Sequence, residues 1–278
     1  MFEPKYYELI DFGQGTKVER FGDTLIARET PSVERFVLQQ DLENVEVDAS
    51  YDSRDGDCAW HGEAEQDWQV AHKGLKFLLR QTPSGQVGVF PEQADNWDWI
   101  AEHGELISGK KAINLFAYTG GSTLALAAAG AEVTHVDSAS SVVKWASDNA
   151  RLSGLGDHPV RWIVEDALKF MRREIKRGKT YDIVVADPPS FGRSRKTGSW
   201  KIERDLEQLL GLAGQLCPTP MMAIISCHSP SIEAADLSFA MEEGLGITSE
   251  IEQRKLSLAT KDDRQLPSGE CARFVVKV

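Results

Sequence analysis

Residues 114–137 read NLFAYTGGSTLALAAAGAEVTHVD, and this stretch decides the fold. Its opening residues complete an apolar run, Ala112–Ala117, that is too short for a helix and reads as a buried strand. Tyr118-Thr119-Gly120-Gly121 then breaks the run, and Ser122–Ala131 is an Ala/Leu-rich helical segment. Glu132–Val136 is again strand-like and ends at Asp137. A strand, a glycine turn, a helix and a second strand make a βαβ unit, parallel and right-handed by default.

The same rhythm continues downstream. Helices are expected at Val142–Leu152, Ala167–Lys176, Trp200–Leu216 and Ile232–Gly244, and strands at Val160–Val164, Tyr181–Ala186 and Met221–Cys227. Ile251–Leu258 and Phe274–Val278 are expected to pair as a closing hairpin, joined by the long polar loop Lys261–Glu270. Trp97–Leu106 is a further expected helix upstream. Alternating strands and helices predict an α/β fold, a doubly wound and mostly parallel sheet.

The first part of the chain has a different texture. From Met1 to about Gln81 the apolar runs are short and alternating, as in Thr24–Arg28 and Phe36–Gln40, with turn signals at Gly13–Gly15 and Asp55–Gly56. Small antiparallel strands are expected there. Lys76–Arg80 and Gln86–Phe90 flank a Thr-Pro-Ser-Gly turn and read as a hairpin leading onward. Residues 1–81 are therefore taken as a small β-rich accessory domain and 82–278 as the main domain, its entry hairpin and first helix lying in 82–109.

Composition narrows the function. The 278 residues carry 31 Lys plus Arg against 43 Asp plus Glu, a formal charge of −12, which opposes indiscriminate nucleic-acid binding but permits a local basic patch. The N-terminal MFEPKYYELI lacks the apolar core of a signal peptide, and no run is long enough to span a membrane. Cys58, Cys217, Cys227 and Cys271 have no metal-ligand spacing and read as free thiols of a cytoplasmic protein. No metal is expected, and a homodimer is among the expected assemblies.

In such sheets ligands bind where the strands end. After the first strand come Gly120 and Gly121, which let a ligand approach backbone and helix N–H groups. After the second comes Asp137, suited to a ribose diol, and after the third Glu165-Asp166, suited to an adenine amine. After the fourth comes Asp187-Pro188-Pro189-Ser190-Phe191. Each element has a plainer reading: the glycines as a tight turn, Asp137 and Asp166 as helix N-caps. A dinucleotide site would need a third glycine, and position 123 is Thr.

With these residues in place, the chain resembles the ribosomal-RNA large-subunit cytosine-5 methyltransferase-like family of class I S-adenosylmethionine-dependent methyltransferases. The resemblance is carried by GVFPEQADNWDW, NLFAYTGGSTLALAAAGAEVTHVD, WIVEDALKFMRRE and YDIVVADPPSFGR. It implies S-adenosyl-L-methionine as cofactor and a seven-stranded sheet with an antiparallel last strand. By resemblance Phe116, Ala117, Tyr118, Thr119, Gly120 and Gly121 cradle the methionine moiety, and Asp137 with Ser138 holds the ribose. Asp166 and Ala167 meet the adenine, Asp187 and Pro188 border the methyl group, and Phe90 and Gln93 lie in a segment, Gly88–Trp97, that closes over the cofactor. Relatives often carry Lys where this chain has Ser190 and Arg where it has Ala94.

The acceptor reading rests on Ile225-Ser226-Cys227-His228, at the end of the fifth strand. Methylating carbon 5 of a pyrimidine needs a thiolate to add to carbon 6, and Ser-Cys here is similar to the nucleophile motif of RNA carbon-5 methyltransferases. Cys227 and Asp187 are the catalytic candidates, with His228 or a nearby cation to lower the thiol pKa. A cysteine closing an apolar strand is equally often a packing residue. Pro189, Phe191, Arg193 and Arg195 are the substrate-side candidates, Phe191 to stack on a base and the arginines, in the basic run Arg193–Lys196, to grip phosphate. RNA is thus the expected partner. Exocyclic-amine, protein or small-molecule acceptors, and a non-catalytic cofactor-binding role, are the competing readings.

Overall fold

The computed structural model describes residues 2–39, 46–54, 57–62, 64, 68–194 and 198–276. The chain divides into two compact units, Met1–Ala94 with Ser257–Pro267, and Asp95–Leu256 with Ser268–Val278. The first unit thus runs past the boundary drawn after Gln81 and takes in the tip of the closing hairpin.

In the first unit, strands β1 (Tyr7–Gly13), β2 (Thr16–Phe21) and β3 (Thr24–Glu29) form an antiparallel meander whose alternate side chains, among them Leu9, Val18 and Ile26, are buried. β4 (Ala49–Arg54) joins β3 in parallel and pairs antiparallel with β5 (Asp57–His61), so the sheet is not wholly antiparallel as expected. The expected entry hairpin is also displaced. β7 (Leu75–Leu78) pairs with β6 (Gln69–His72) because Lys73 and Gly74, at φ 45° and 92°, form the two-residue turn whose twist suits a hairpin. Phe36–Gln40 forms no strand among its described residues. Phe36 instead sets its ring 5.0 Å from that of Phe12 and gives its carbonyl to the Gln14 N–H, while Gln40 lies outside the described residues.

Beneath the meander lies a buried charge cluster. Glu19, fully buried, accepts hydrogen bonds from the Tyr7 hydroxyl (2.8 Å) and the Arg28 guanidinium (Nε, 3.1 Å), with Lys17 Nζ at 3.1 Å. Burial alone would raise the Glu19 pKa, but Arg28 and Lys17 outweigh it and hold the carboxyl at about 2.

The second unit opens with helices α1 (Ala94–Glu102) and α2 (Gly104–Ile107), two short pieces in place of the single expected helix. Strands and helices then alternate: β8 (Lys111–Leu115), α3 (Gly121–Ala128), β9 (Glu132–Asp137), α4 (Ser140–Leu152), β10 (Val160–Val164), α5 (Ala167–Lys176) and β11 (Ile183–Ala186). Next comes a small hairpin, β12 (Phe191–Ser194) with β13 (Gly198–Lys201), where only loop and helix had been expected. α6 (Ile202–Leu216), β14 (Met222–Cys227), α7 (Ala234–Leu245), β15 (Glu252–Ala259) and β16 (Gln265–Val275) complete the chain. The expected polar loop Lys261–Glu270 is largely strand, since β16 begins at Gln265.

The sheet order is β10-β9-β8-β11-β14-β16-β15, with β16 antiparallel to β14, the doubly wound seven-stranded arrangement expected from the alternation and the resemblance. One face packs Ile113, Leu115, Val184 and Ile225 against Phe170, Leu209, Leu210 and Met241 of α5, α6 and α7. The alternate residue Asn114 turns to the opposite face, where α3 lies. Its amide donates to Thr123 Oγ1 (2.9 Å), which is 2.9 Å from His135 Nδ1. Burial pushes the His135 imidazole down to about 3, so the fold holds it neutral.

The unfolded chain binds a proton at this histidine below its ordinary value of about 6.5, and the folded chain does not until about 3. Stability at this position therefore declines as pH falls from about 6.5 toward 3. Denaturant unfolding is expected to lose about 2 kcal/mol between pH 6.5 and pH 5 from this group, at 1.36 kcal/mol per pKa unit. In His135→Asn that slope disappears, and an unaltered slope would remove His135 as its source.

Among the described residues no helix is long and apolar enough to cross a membrane, and no cluster of His, Cys, Asp and Glu could hold a metal ion.

Candidate functional site

The carboxyl ends of β8, β9, β10 and β11 open onto a cleft of about 560 Å³. Its lining unites the sequence candidates Phe116, Asp137, Ser138, Asp166, Ala167 and Pro189. Leu168, Lys169 and Arg172 of α5, Trp200 of β13, and Arg204, Asp205 and Gln208 of α6 also line it.

The loop after β8 is built under strain. Phe116 and Tyr118, at φ 53° and 47°, are non-glycine residues in left-handed geometry, which costs roughly 1–2 kcal/mol each. Specific bonds hold them there: the Ala117 N–H reaches the Val136 carbonyl (3.1 Å) and the Tyr118 N–H reaches Asp137 Oδ2 (3.0 Å). Gly120, at φ 93°, then starts α3, and a Cβ on Gly121 would stand 2.3 Å from Trp97 Cζ2. The first glycine is required by conformation and the second by the indole packed against it. Ala117, Tyr118, Thr119, Gly120 and Gly121 shape this loop without lining the cleft.

Asp137, at the end of β9, also takes the Ala139 N–H on Oδ1 (3.0 Å), so each carboxylate oxygen is oriented by one backbone donor. Burial raises its pKa even though these N–H bonds favour the charged form. Asp166 caps α5 by accepting the Lys169 N–H (2.9 Å), and it faces the cleft as well. The helix-cap reading is met, and the same residue lines the cleft.

At the end of β11, Asp187 accepts a hydrogen bond from the Ser226 hydroxyl (2.8 Å), and His228 Nε2 lies 3.8 Å from its other oxygen. Cys227, between them on β14, points the other way. It is fully buried in the apolar cluster against α6 and α7, and burial pushes its thiol up to about 11. The expectation that His228 lowers the Cys227 pKa is corrected by strand alternation, which puts residues 226 and 228 on one face and 227 on the other.

The Pro189 carbonyl accepts from the Trp200 indole N–H (2.6 Å), and that ring lies 4.9 Å from Phe116, so Trp200 braces the cleft wall. The sequence places Trp200 at a helix start; Gly192 and Gly198, both upstream of it, were the available signal of a turn before that helix. Phe191 is 47% exposed on β12. The Arg193 side chain and all of Arg195 lie outside the described residues. Phe90 and Gln93 belong to the other compact unit, with Gln93 buried as the last residue of a short 3₁₀ turn.

The residues present fit an adenosyl cofactor: two carboxylates at adjacent strand ends, an aromatic and proline wall, and a glycine turn that no larger side chain could occupy.

Residues 34–246, more than half of the chain, match the S-adenosylmethionine-dependent methyltransferase family. A solved S-adenosylmethionine-dependent methyltransferase from Agrobacterium tumefaciens is 34% identical, covering 98% of this chain and 91% of its own at a TM-score of 0.89. The protein SMU.776, solved in complex with S-adenosylhomocysteine, shares the fold at 19% identity and TM-score 0.75 over 97% of this chain and 75% of that one. Ribosomal RNA large subunit methyltransferase K of Neisseria meningitidis serogroup B is 29% identical over 178 residues, 63% of this chain and 49% of that protein. The chain spans half or less of the length of the curated relatives it matches. It belongs to the S-adenosylmethionine-dependent methyltransferase family.

Proposed function

We propose that this S-adenosylmethionine-dependent methyltransferase acts on a nucleobase of RNA, holding the cofactor across Asp137, Asp166 and the Phe116–Gly121 loop. The observation that carries the cofactor placement is the convergence of Phe116, Asp137, Asp166 and Pro189 on one cleft. When bound, S-adenosylmethionine supplies an electrophilic methyl group on a sulfonium. In this reading Asp137 accepts the ribose hydroxyls, Asp166 the adenine amine, and Asp187 orients the acceptor. The RNA reading is supported by the ribosomal-RNA methyltransferases among the relatives and by Phe191, an exposed aromatic two residues past the proline pair.

For the acceptor atom, geometry favours a nucleophile that needs no thiolate, such as an exocyclic amine, because Cys227 is packed in the core. The carbon-5 reading is the second one, supported by the place of Cys227 beside two residues that face Asp187. Cys227→Ala is expected to cost roughly 1 kcal/mol of stability and to leave transfer within about twofold of wild type. Loss of transfer with cofactor binding intact would instead make Cys227 the nucleophile. The acceptor class itself is read by tritium transfer from labelled S-adenosylmethionine into RNA, protein and metabolite pools. Label in RNA is expected, and label confined to protein or metabolites would overturn the reading.

A further inference from the structure

We propose that His228, paired with Asp187, takes up the proton that methyl transfer releases. The inference rests on the RNA reading for its acceptor and on the geometry of one strand end for its residues. At the end of β14, Ser226 and, one residue past the strand, His228 lie on the face of Asp187, while Cys227 between them turns into the core with Ala223 and Ile225. Ser226 fixes one carboxylate oxygen at 2.8 Å, which aims the other at His228 Nε2, 3.8 Å away. That spacing exceeds a direct hydrogen bond and is the separation of an ion pair once the imidazole carries its proton. The imidazole is held from behind: Gly269, opposite on β16, has no side chain, and a Cβ there would stand 3.2 Å from His228 Nδ1 and 2.8 Å from the Cys227 carbonyl. The His228 side chain is 33% exposed, so a proton taken on Nε2 has a way out to solvent.

The chemistry needs such a base. An exocyclic amine gains a C–N bond from its lone pair, the C–S electron pair stays on sulfur, and the nitrogen becomes a methylated ammonium. One of its N–H bonds then breaks, leaving its electron pair on nitrogen, while the proton passes along Asp187 Oδ2 to His228 Nε2. Transfer to carbon 5 would release one C–H proton at the same place. The charged groups around this strand end are Asp187, Glu270 across the sheet, Asp236 in the first turn of α7, and Glu203 of α6, bonded to Ser229 and Ser231. Of these, Asp187 is the one placed within ion-pair distance of the imidazole, and a carboxylate there favours its charged form after the transfer.

The test compares wild type, His228→Gln and Ser226→Ala with tritiated S-adenosylmethionine and an unmodified large-subunit ribosomal RNA transcript between pH 5 and pH 8. His228→Gln is expected to lower transfer about 10²-fold at pH 7, the usual range for a lost general base, with unchanged cofactor affinity. It should also abolish the fall in rate on the acid side, where the wild-type imidazole is already charged, while Ser226→Ala loses less and keeps that limb. A His228→Gln enzyme with the wild-type rate and acid limb overturns the proposal. A second measurement uses the free protein: carbethoxylation of His228 by diethyl pyrocarbonate, followed by peptide mass spectrometry. At pH 6 it should run several-fold faster in Asp187→Asn, where the carboxylate no longer holds the imidazole proton, and equal rates overturn the pairing. If wild type transfers nothing to RNA, the RNA reading fails and the carbethoxylation comparison still decides the pair.

Discussion

Glu19→Ala is expected to cost 3–5 kcal/mol, enough to unfold the first unit of the chain under conditions where wild type is folded. Truncating one partner of a buried ion cluster leaves the others uncompensated, and that is the expensive direction. Here the residues left behind are Arg28, mostly buried, and Lys17, with the Tyr7 hydroxyl also losing its acceptor. A pH dependence accompanies this. The folded carboxyl titrates at about 2 against 4.5 for an ordinary glutamate, a difference worth about 3 kcal/mol. Because the folded value is depressed, the contribution is fully present above about pH 4.5 and is lost as pH falls from there toward 2. Urea unfolding at pH 7 and pH 3 checks both statements. A Glu19→Ala protein within 1 kcal/mol of wild type would show that the cluster contributes little, as would an identical acid response in the two proteins. The window overlaps that of His135 below about pH 4.5, so the loss between about pH 6.5 and 4.5 belongs to His135, and Glu19→Ala removes only the part below it.

Asp137→Ala is expected to weaken S-adenosylmethionine binding by about 10²-fold. Hydrogen bonds to a charged group contribute roughly 1.5–3 kcal/mol, and this carboxylate is assigned the ribose diol. The substitution also releases the N–H groups of Tyr118 and Ala139, and Tyr118 sits in the left-handed conformation that the bond helps to hold. Asp137→Asn keeps one acceptor oxygen and should lose less. Isothermal titration with the cofactor separates the variants, and an unchanged Kd in Asp137→Ala would remove this residue from the ribose site.

Much of the main domain was legible in the sequence because its signals are local. Val160–Val164 and Ala167–Lys176 lie where periodicity put them, and the glycine turn after β8 falls at Gly120 and Gly121. The first unit was less legible. Phe36 alternates like a strand residue yet serves an aromatic contact, and β3 and β4 pair in parallel through residues too far apart for any turn signal.

The Gly-Gly turn, the Asp after three successive strands and the βαβ rhythm determined, by themselves, a doubly wound sheet with a cleft at its carboxyl edge. The reason is that helix and strand periods, and the conformational freedom of glycine, act over a few residues. Only the tertiary structure decided which way Cys227 faces. Every residue of Met222–Cys227 is buried, so hydropathy does not distinguish the two faces of that strand. The long-range pairing of β14 with β11 and β16 fixes them, turning Ser226 and His228 toward Asp187 and the thiol into the core. Trp200 likewise reached the cleft wall through the folding back of β13 onto β12, where a helix start had been expected.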